Sequence, residues 1–295
     1  MISSKGTKIE PLTNINAFFE RKTLNLRGNL VDLSRPRVMG ILNVTPDSFY
    51  DGGRYFQEEA VVLRRVERML EEGATFIDIG GYSSRPGAQS VAEDEEKRRV
   101  VVTVATIVRR FPEALLSVDT FRASVAREAV AAGACLINDI TGGAGDEAMF
   151  ATVGELKVPY VLMHMRGTPQ TMQTLTQYED LVVEVIDYFQ RKVNALRSYS
   201  VTDIVIDPGF GFAKTIDQNY TMLSHLDAFR SLGLPLLVGL SRKSTIYKRL
   251  GVSPEEALNG TTVLNTVALM KGAAILRVHD VKEAIEAIQL TSHIT

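Results

Sequence analysis

The fold is decided by a phrase that occurs three times: Glu72-Gly73-Ala74-Thr75-Phe76-Ile77-Asp78, Ala132-Gly133-Ala134-Cys135-Leu136-Ile137-Asn138 and Lys271-Gly272-Ala273-Ala274-Ile275-Leu276-Arg277. In each copy a helical pattern stops at Gly-Ala, and an apolar run then leads to a polar residue five positions after the glycine. Glycine just past a helix commonly takes the left-handed conformation that ends it. The repeat therefore predicts a helix followed by a strand, with Asp78, Asn138 and Arg277 at one strand position.

Five further apolar runs end in polar or turn residues in the same way: Val38 to Asn43, Leu115 to Asp119, Val158 to His164, Asp203 to Asp207 and Pro235 to Gly239. Near-continuous Val, Ile and Leu runs are typical of parallel strands that are buried on both faces. Between them, Glu58 to Glu72 has helical spacing, and Ser253-Pro254-Glu255-Glu256 is a capping box that predicts a helix running to about Met270. Eight strands alternating with helices over roughly 240 residues predict an α/β fold, the closed (β/α)8 or TIM barrel.

The residues before the barrel predict a separate small element. Thr23 to Leu33 alternates in hydrophobicity around Gly28-Asn29, which predicts a β-hairpin with a two-residue turn that covers the N-terminal mouth of the barrel. The predicted organisation is an N-terminal extension over residues 1–37 and a single barrel over residues 38–295. An open doubly wound sheet is the alternative, but the Gly-x-Gly-x-x-Gly turn of a dinucleotide-binding sheet does not follow the first strand.

Composition excludes several classes of protein. The 295 residues contain 33 Lys plus Arg and 35 Asp plus Glu, and the net charge of −2 excludes a nucleic-acid binder that works through bulk charge. The single Cys135 excludes a disulfide framework and any multi-thiolate metal site, and it predicts a reducing cytoplasm. The longest apolar stretch, near Val100 to Val108, is too short to span a bilayer, and Met1 to Thr7 lacks the apolar segment of a secretory signal.

The predicted strand ends are strongly polar, and in this fold the active site lies at the C-terminal ends of the strands. They present, in chain order, Asn43, Asp78, Asp119, Asn138 with Asp139, His164, Asp207, Lys243, and Arg277 with His279. Buried carboxylates and amides are costly unless they are paired. The ring therefore predicts a ligand with many polar edges, and an internal network that caps the barrel is the alternative.

The predicted ring has an acceptor side and a cationic side. The acceptors follow strands two, three, four and six: Asp78, Asp119, Asn138 and Asp207. They favour a flat heterocycle with N–H donors. Lys243, Arg277 and His279 follow strands seven and eight, where barrels usually bind phosphate, and they favour a phosphate or diphosphate. An ion pair with Asp280 or another acid is the alternative for Arg277 and His279.

Two long, turn-rich loops, residues 45–53 and 80–87, predict mobile lids over this mouth. Arg85 would bring a second cation to a phosphate, or else be an ordinary exposed arginine. Phe210 and Phe212, in the turn after the sixth strand, either wall a ring-shaped substrate or pack beneath the loop. Ser244 lies where a helix begins after the seventh strand, and it either binds a carboxylate or only caps the helix.

Four phrases, in this order along the chain, resemble those of the dihydropteroate synthase family: Met39-Gly40-Ile41-Leu42-Asn43-Val44-Thr45-Pro46-Asp47-Ser48-Phe49, Asp207-Pro208-Gly209-Phe210-Gly211-Phe212, Ser241-Arg242-Lys243 and Arg277-Val278-His279-Asp280. The resemblance covers nearly the whole barrel. It implies a homodimeric transferase of folate biosynthesis, a target of sulfonamides. The reaction joins 6-hydroxymethyl-7,8-dihydropterin diphosphate to 4-aminobenzoate and releases diphosphate. The implied chemistry is a dissociative substitution at the pterin CH2 without a protein nucleophile.

The same resemblance implies a role for each site residue. The pterin would be held by Asp78, Asp119, Asn138, Asp207 and Lys243. The diphosphate would be held by Asn43, Ser84, Arg85, Arg277 and His279, with Mg²⁺ on Asn43. The aminobenzoate would lie against Phe210, Phe212, Ser244 and Pro86. The implied catalytic residues are Asn43, Arg85, Lys243, Arg277 and His279, and the implied lid residues are Asp47, Ser48, Asp51 and Tyr82.

This sequence departs from the family at Tyr82, where an acidic or a small residue is common, at Ser84, where Thr is common, and at Ala213, where Gly is common. Two other functions are the alternatives. A methyltetrahydrofolate-type methyltransferase has a similar barrel but no use for a diphosphate site, so Arg277 and His279 favour the synthase. A catalytically silent pterin-binding paralogue is the second alternative, and the retained diphosphate residues favour an active enzyme.

Overall fold

The computed structural model describes residues 22–44, 55–82 and 91–294, the side chains of residues 55–58 excepted. Its strands, in chain order, are β1 (Thr23–Leu26), β2 (Asn29–Asp32), β3 (Arg37–Asn43), β4 (Phe76–Gly80), β5 (Leu115–Asp119), β6 (Leu136–Asp139), β7 (Tyr160–Met163), β8 (Ile204–Asp207), β9 (Leu237–Val238) and β10 (Ile275–Val278). Strands β3 to β10 form one parallel sheet in the order β8-β7-β6-β5-β4-β3-β10-β9. A parallel bridge between Ile206 and Leu236 brings β8 beside the start of β9 and closes the cylinder. The predicted (β/α)8 barrel is confirmed.

Helices follow the barrel strands and pack around them. They are α1 (Tyr55–Glu71), α2 (Glu93–Arg110), α3 (Ala123–Ala132), α4 (Met149–Leu156), α5 (Leu181–Ser198), α6 (Ile216–Ser224), α7 (Ser244–Leu250), α8 (Leu258–Met270) and α9 (Val281–Thr291), with 3-10 turns at Met172–Thr174 and Leu226–Leu232. Gly73, Gly133 and Gly272 have φ values of 101°, 117° and 96°, so each copy of the repeated phrase leaves its helix through a left-handed glycine, as predicted. In the described part of the chain, no helix is both long and apolar enough to cross a membrane.

The capping box before α8 forms, but it does not open the helix. Ser253 N donates to Glu256 Oε2 at 3.0 Å, and Glu256 N donates to Ser253 Oγ at 3.3 Å. The next backbone bonds are of the i to i+3 type, so this segment is a turn, and α8 begins at Leu258. The prediction of the helix end at Met270 is confirmed, whereas the predicted start is wrong by about one turn.

The hairpin β1–β2 covers the N-terminal mouth of the barrel, as predicted. Leu24 and Leu26 are buried in one apolar cluster with residues at or near the starts of the strands, among them Met39, Phe76 and Leu136. Among the described residues this cluster closes the N-terminal end of the cylinder, and the strand ends at the C-terminal mouth are left to bind a ligand.

The hairpin turn lies one residue earlier than predicted. Leu26 pairs with Asn29, so the two turn residues are Arg27 and Gly28, with φ values of 53° and 84°. A turn that matches the twist of the strands needs positive φ at both central positions, and Gly28 takes the second at no steric cost. Asn25 Oδ1 accepts from Gly28 N at 2.9 Å and fixes this register.

Candidate active site

Four side chains from strands β4, β5, β6 and β10 meet inside the C-terminal mouth. Arg277 Nε donates to Asp78 Oδ2 at 2.6 Å, and Arg277 Nη2 donates to Asp119 Oδ2 at 2.8 Å. Asn138 Nδ2 donates to the same Asp78 oxygen at 3.0 Å. The acceptor and cationic sides of the predicted ring therefore touch. Arg277 therefore forms ion pairs, as the alternative predicted, but with Asp78 and Asp119 and not with Asp280.

Burial and Arg277 together set the charges in this cluster. Burial raises the pKa of Asp119 to about 7, and the Arg277 guanidinium opposes that shift. Burial also disfavours the charge on Arg277, but Asp78 and Asp119 more than offset it and raise the Arg277 pKa. Asp78 Oδ1 is buried and receives no hydrogen bond from the described residues. Such an acceptor is available to an N–H group of a ligand.

Lys243 and Asp207 complete the cluster from the other side of the mouth. Lys243 Nζ donates to the Phe210 carbonyl at 2.5 Å and lies 4.8 Å from the centre of the Phe212 ring. Burial lowers the pKa of Lys243 to about 8, although Asp207 opposes this. Asp207 is buried, and its Oδ1 accepts from Gly209 N at 2.7 Å. Burial raises the pKa of Asp207, while Lys243 lowers it.

The C-terminal mouth also has an apolar lining that the sequence analysis did not predict. Phe212 is buried in one cluster with Ile140, Met163 and Met165. Met163 is paired with Asp207 in the sheet, so the cluster lies beside the acceptors. A flat ring can stack on such side chains. The sequence signal for this lining is the apolar residue next to a polar strand end, such as Ile140 after Asp139 and Met163 before His164.

His279 lies at the end of β10 and is held by Ser241, which the sequence analysis did not count among the site residues. The Ser241 hydroxyl accepts from His279 N at 3.1 Å, and its oxygen is 3.0 Å from His279 Nδ1. Burial, together with Arg277, lowers the pKa of His279 to about 4. The ring is therefore neutral at pH 7 in this state. In the tautomer in which the Ser241 hydroxyl donates to Nδ1, the ring proton is on Nε2, which can then donate to a ligand.

Arg242, between Ser241 and Lys243, is a structural residue. Its φ is 52°, and its guanidinium holds both oxygens of Asp280 at 2.9 and 2.8 Å. Its backbone N–H donates to Thr261 Oγ1 at 3.0 Å. Arg242 thus fixes the loops after β9 and β10 against each other and holds Ser241 beside His279.

Asp139 and His164, which the sequence placed in the polar ring, have structural partners instead. Asp139 accepts from the Tyr160 hydroxyl at 2.6 Å, from Thr141 N and Oγ1 at 2.7 Å each, and from Gly143 N at 2.9 Å. His164 packs edge-on against Tyr188 and lies 3.0 Å from Lys214 Nζ. Neither residue belongs to the polar cluster at the mouth, because adjacent strand positions face opposite sides of the sheet.

Of the residues predicted to contact the aminobenzoate, some lie at the C-terminal mouth and one is buried in the core. The Phe210 ring is completely buried in the main core, so the packing alternative is correct for its ring, and only its carbonyl faces Lys243. Phe212 lies in the cluster at the mouth. Ser244 is half-buried at the start of α7, next to Lys243.

Two predicted rim residues are visible. Asn43 is half-buried at the end of β3, and its Oδ1 faces Gly80 of β4, where an added Cβ would lie 3.5 Å away. The Tyr82 ring is edge-on to Phe121 at 5.2 Å, and its hydroxyl accepts from Gln170 Nε2 at 3.1 Å. Tyr82 therefore links the loops that follow β4, β5 and β7.

Six predicted residues lie outside the described residues: Asp47, Ser48, Asp51, Ser84, Arg85 and Pro86. Their roles stay predictions. Ala213, the third departure from the family, has a φ of 47°. An L-residue in this left-handed conformation costs roughly 1–2 kcal/mol, which explains why glycine is common there.

Comparison with known proteins gives concordant matches. The family model described as "Pterin binding enzyme" matches residues 39–279. Dihydropteroate synthase of Escherichia coli (strain K12) is 44% identical over 266 residues, which cover 90% of this chain and 93% of that protein. Dihydropteroate synthase of Synechocystis is 46% identical over 251 residues, covering 84% and 86%.

Solved structures of dihydropteroate synthases are similar to this chain over nearly its whole length. Yersinia pestis dihydropteroate synthase in a sulfonamide drug complex superposes with a TM-score of 0.85 at 44% identity, over 92% of this chain and 98% of that one. The Xanthomonas albilineans enzyme in complex with 7,8-dihydropteroate gives a TM-score of 0.82 at 38% identity, with the same coverage.

Proposed function

We infer that this chain, which belongs to the pterin-binding enzyme family, is a transferase that catalyses the dihydropteroate synthase reaction of folate biosynthesis. It joins 6-hydroxymethyl-7,8-dihydropterin diphosphate to 4-aminobenzoate and releases diphosphate. The observation that carries this function is the gathering of Asp78, Asp119, Asn138, Asp207, Lys243 and Arg277 at one barrel mouth, in a chain so similar to enzymes of this activity.

The acceptors at the mouth suit the donor edge of a pterin. Its ring N–H and amino groups can donate to Asp119, Asn138 and Asp207, and Asp78 Oδ1 is a further buried acceptor without a donor among the described residues. Lys243, beside Asp207, can donate to a ring nitrogen or carbonyl. The apolar side chains of Ile140 and Met163 would then cover a face of the ring.

The cations suit the diphosphate. Arg277 Nη1 carries no hydrogen bond to Asp78 or Asp119, and His279 presents Nε2–H, so both have donors left for phosphate oxygens. Ser84 and Arg85 would add donors from the second lid, outside the described residues. Phe212, Ser244 and Pro86 would then contact the aminobenzoate.

We propose that Mg²⁺ binds this site together with the diphosphate of the substrate. No group of three or more His, Cys, Asp or Glu within the described ranges could hold a metal, whereas Asn43 Oδ1 is one oxygen ligand of the kind Mg²⁺ accepts. Mg²⁺ usually keeps several waters and binds substrate phosphates, so Asn43 and the diphosphate would suffice. Bound there, Mg²⁺ would neutralise charge on the departing diphosphate.

The reaction is a substitution at the exocyclic pterin CH2. The bond from this carbon to the diphosphate oxygen breaks with its electron pair on oxygen, and the arylamine nitrogen forms the new C–N bond and loses a proton. Arg277 and His279 stabilise the charge that develops on the leaving group. The side chains around the pterin hold the ring, whose nitrogens can stabilise a cation-like transition state, so no protein nucleophile is needed.

The assembly and the compartment are proposed on separate grounds. The helices α7, α8 and α9 and the residues just after α9 expose several large apolar side chains, which favour a homodimer through this part of the surface: Leu250, Val263, Met270, Leu290 and Ile294. By contrast Leu264, Val267 and Leu269 pack inward. Light scattering would show twice the chain mass for a dimer. We propose a cytoplasmic location because the chain has a single cysteine, Cys135, and so no disulfide framework.

The test of the function is diphosphate release by the purified protein with the pterin diphosphate and Mg²⁺, with and without 4-aminobenzoate. We expect release that depends on the arylamine, is lost in Lys243→Met and persists in Lys248→Met, where the replaced lysine is exposed on α7. Pterin binding without release would instead identify the silent paralogue and contradict the assignment.

A further inference from the structure

Lys214 is a buried lysine for which the proposed reaction has no use. It lies at the end of the turn that follows β8 and is only 3% exposed. Its Nζ donates to the carbonyls of Pro208, Gly209 and Phe212 at 2.7, 3.2 and 3.2 Å, and it lies 3.0 Å from His164 Nδ1. All four partners are neutral acceptors, and they share the three N–H donors of the ammonium. These surroundings are unusual because a buried ammonium is normally paired with a carboxylate.

His164 has the protonation state that this contact requires. Burial, together with Lys214, holds the pKa of His164 well below its ordinary value, so the ring is neutral. A neutral ring with the proton on Nε2 accepts at Nδ1. Burial lowers the pKa of Lys214 to about 7, with Asp207 opposing this and Lys243 and Arg166 adding to it.

The turn 208–213 lies between two lysines. Gly209 packs so closely on β7 that an added Cβ would be 2.1 Å from the His164 carbonyl oxygen. At Gly211, an added Cβ would be 3.3 Å from Lys243 Cδ. The carbonyls of Pro208, Gly209 and Phe212 turn inward to Lys214, whereas the Phe210 carbonyl turns outward to Lys243.

We propose that Lys214, held by His164, is a positioning residue for the second substrate. By gathering three carbonyls of one turn, its ammonium fixes the path of residues 208–213 and the place of the Phe212 ring, and so shapes the aminobenzoate side of the site. This inference rests on the proposed function. It assigns Lys214 no contact with either substrate.

The test compares Michaelis constants in three variants at about pH 6.5, where the Lys214 ammonium is mostly protonated. Lys214→Met removes the donor. His164→Leu removes the acceptor, and His164→Asn replaces Nδ1 by an amide oxygen at nearly the same place. We expect Lys214→Met and His164→Leu to raise the KM for 4-aminobenzoate about tenfold or more, with the KM for the pterin diphosphate changed less than about threefold. His164→Asn, the conservative variant, should stay within about threefold of the wild type for both.

A purely structural role would give a different pattern. Loosened packing would lower the active fraction, and hence kcat, and leave both KM values unchanged. That pattern, an equal rise of both KM values, or equal behaviour of His164→Leu and His164→Asn would each overturn the proposal. If Lys214→Met does not fold, the His164 pair decides alone. A wild-type protein that releases no diphosphate with both substrates present would refute the proposed function itself, which is a distinct result.

Discussion

Removing the Arg277 guanidinium should destabilise the folded protein strongly, because it leaves two carboxylates side by side in the barrel. Asp78 is completely buried, and the side chains of Asp119 and Arg277 are 15% and 18% exposed. At pH 8, where Asp119 is mostly ionised, each guanidinium–carboxylate pair, with charges about 4 Å apart, contributes roughly 4 kcal/mol at an effective dielectric constant near 20. The desolvation of Arg277 offsets several kcal/mol of this, so we expect Arg277→Met to cost about 3–5 kcal/mol.

Equilibrium unfolding in urea, followed by circular dichroism, measures this loss. The informative variant is Arg277→Met combined with Asp78→Asn. The asparagine oxygen can still accept from Asn138, and one unpaired charge is gone. We expect the double variant to be more stable than Arg277→Met, with a coupling energy of about 2 kcal/mol or more. The control is Arg109→Met, which breaks an exposed pair with Glu59 of similar length, 2.9 Å, and should cost about 0–1 kcal/mol.

The refuting result is additivity. If the two substitutions destabilise independently, so that the double variant is the least stable of all, the carboxylates do not need Arg277 as a counter-ion. The cluster would then be an ordinary hydrogen-bonded cap on the barrel.

Three further outcomes follow from the contacts described above. Tyr160→Phe removes one of the four hydrogen bonds to Asp139 and should cost about 2 kcal/mol, read as a fall of about 4–8 °C in Tm, while kcat/KM is retained; loss of activity in the folded variant would return Asp139 to the site. Diphosphate binding should raise the low pKa of His279, so affinity should increase as the pH falls below the bound-state pKa, and calorimetry should detect proton uptake that is smaller in His279→Gln; equal uptake would contradict this role. Leu24→Ala should lower the free energy of unfolding by about 2–5 kcal/mol in urea because it opens a cavity under the hairpin, whereas a loss below about 1 kcal/mol would mean that the hairpin is not part of the core.

The barrel was predictable because its signals are local. The glycine after each repeated helix has positive φ, and the all-apolar runs lie in strands such as β4, where every residue is buried. The hairpin turn was misplaced by one residue because alternation alone does not distinguish Arg27-Gly28 from Gly28-Asn29. Positive φ at Arg27 is imposed by the pairing of the two strands.

The sequence predicted which polar residues lie at the strand ends, but not whether each side chain faces the barrel interior or the surrounding helices. Asn138 and Asp139 are neighbours at the end of β6, so one faces the barrel interior and the other faces outward, and nothing in their order says which. The Arg277–Asp78 contact joins residues 199 positions apart. It depends on the closing of the barrel, which no local sequence pattern predicts. The sequence did not predict the role of Lys214, because three of its four partners are backbone carbonyls, which are present at every position of any sequence.

The apolar cluster that contains Leu24 and Leu26 closes the N-terminal end of the barrel, so among the described residues the polar cluster faces the C-terminal mouth. We therefore expect both substrates to bind, and both products to leave, through the C-terminal mouth. In the proposed function the pterin lies deepest, against Asp78 and Asp119, so we expect it to bind first and, as dihydropteroate, to leave last. An arylamine bound at this mouth before the pterin diphosphate would block its entry. A large excess of 4-aminobenzoate should therefore inhibit turnover and not merely saturate it.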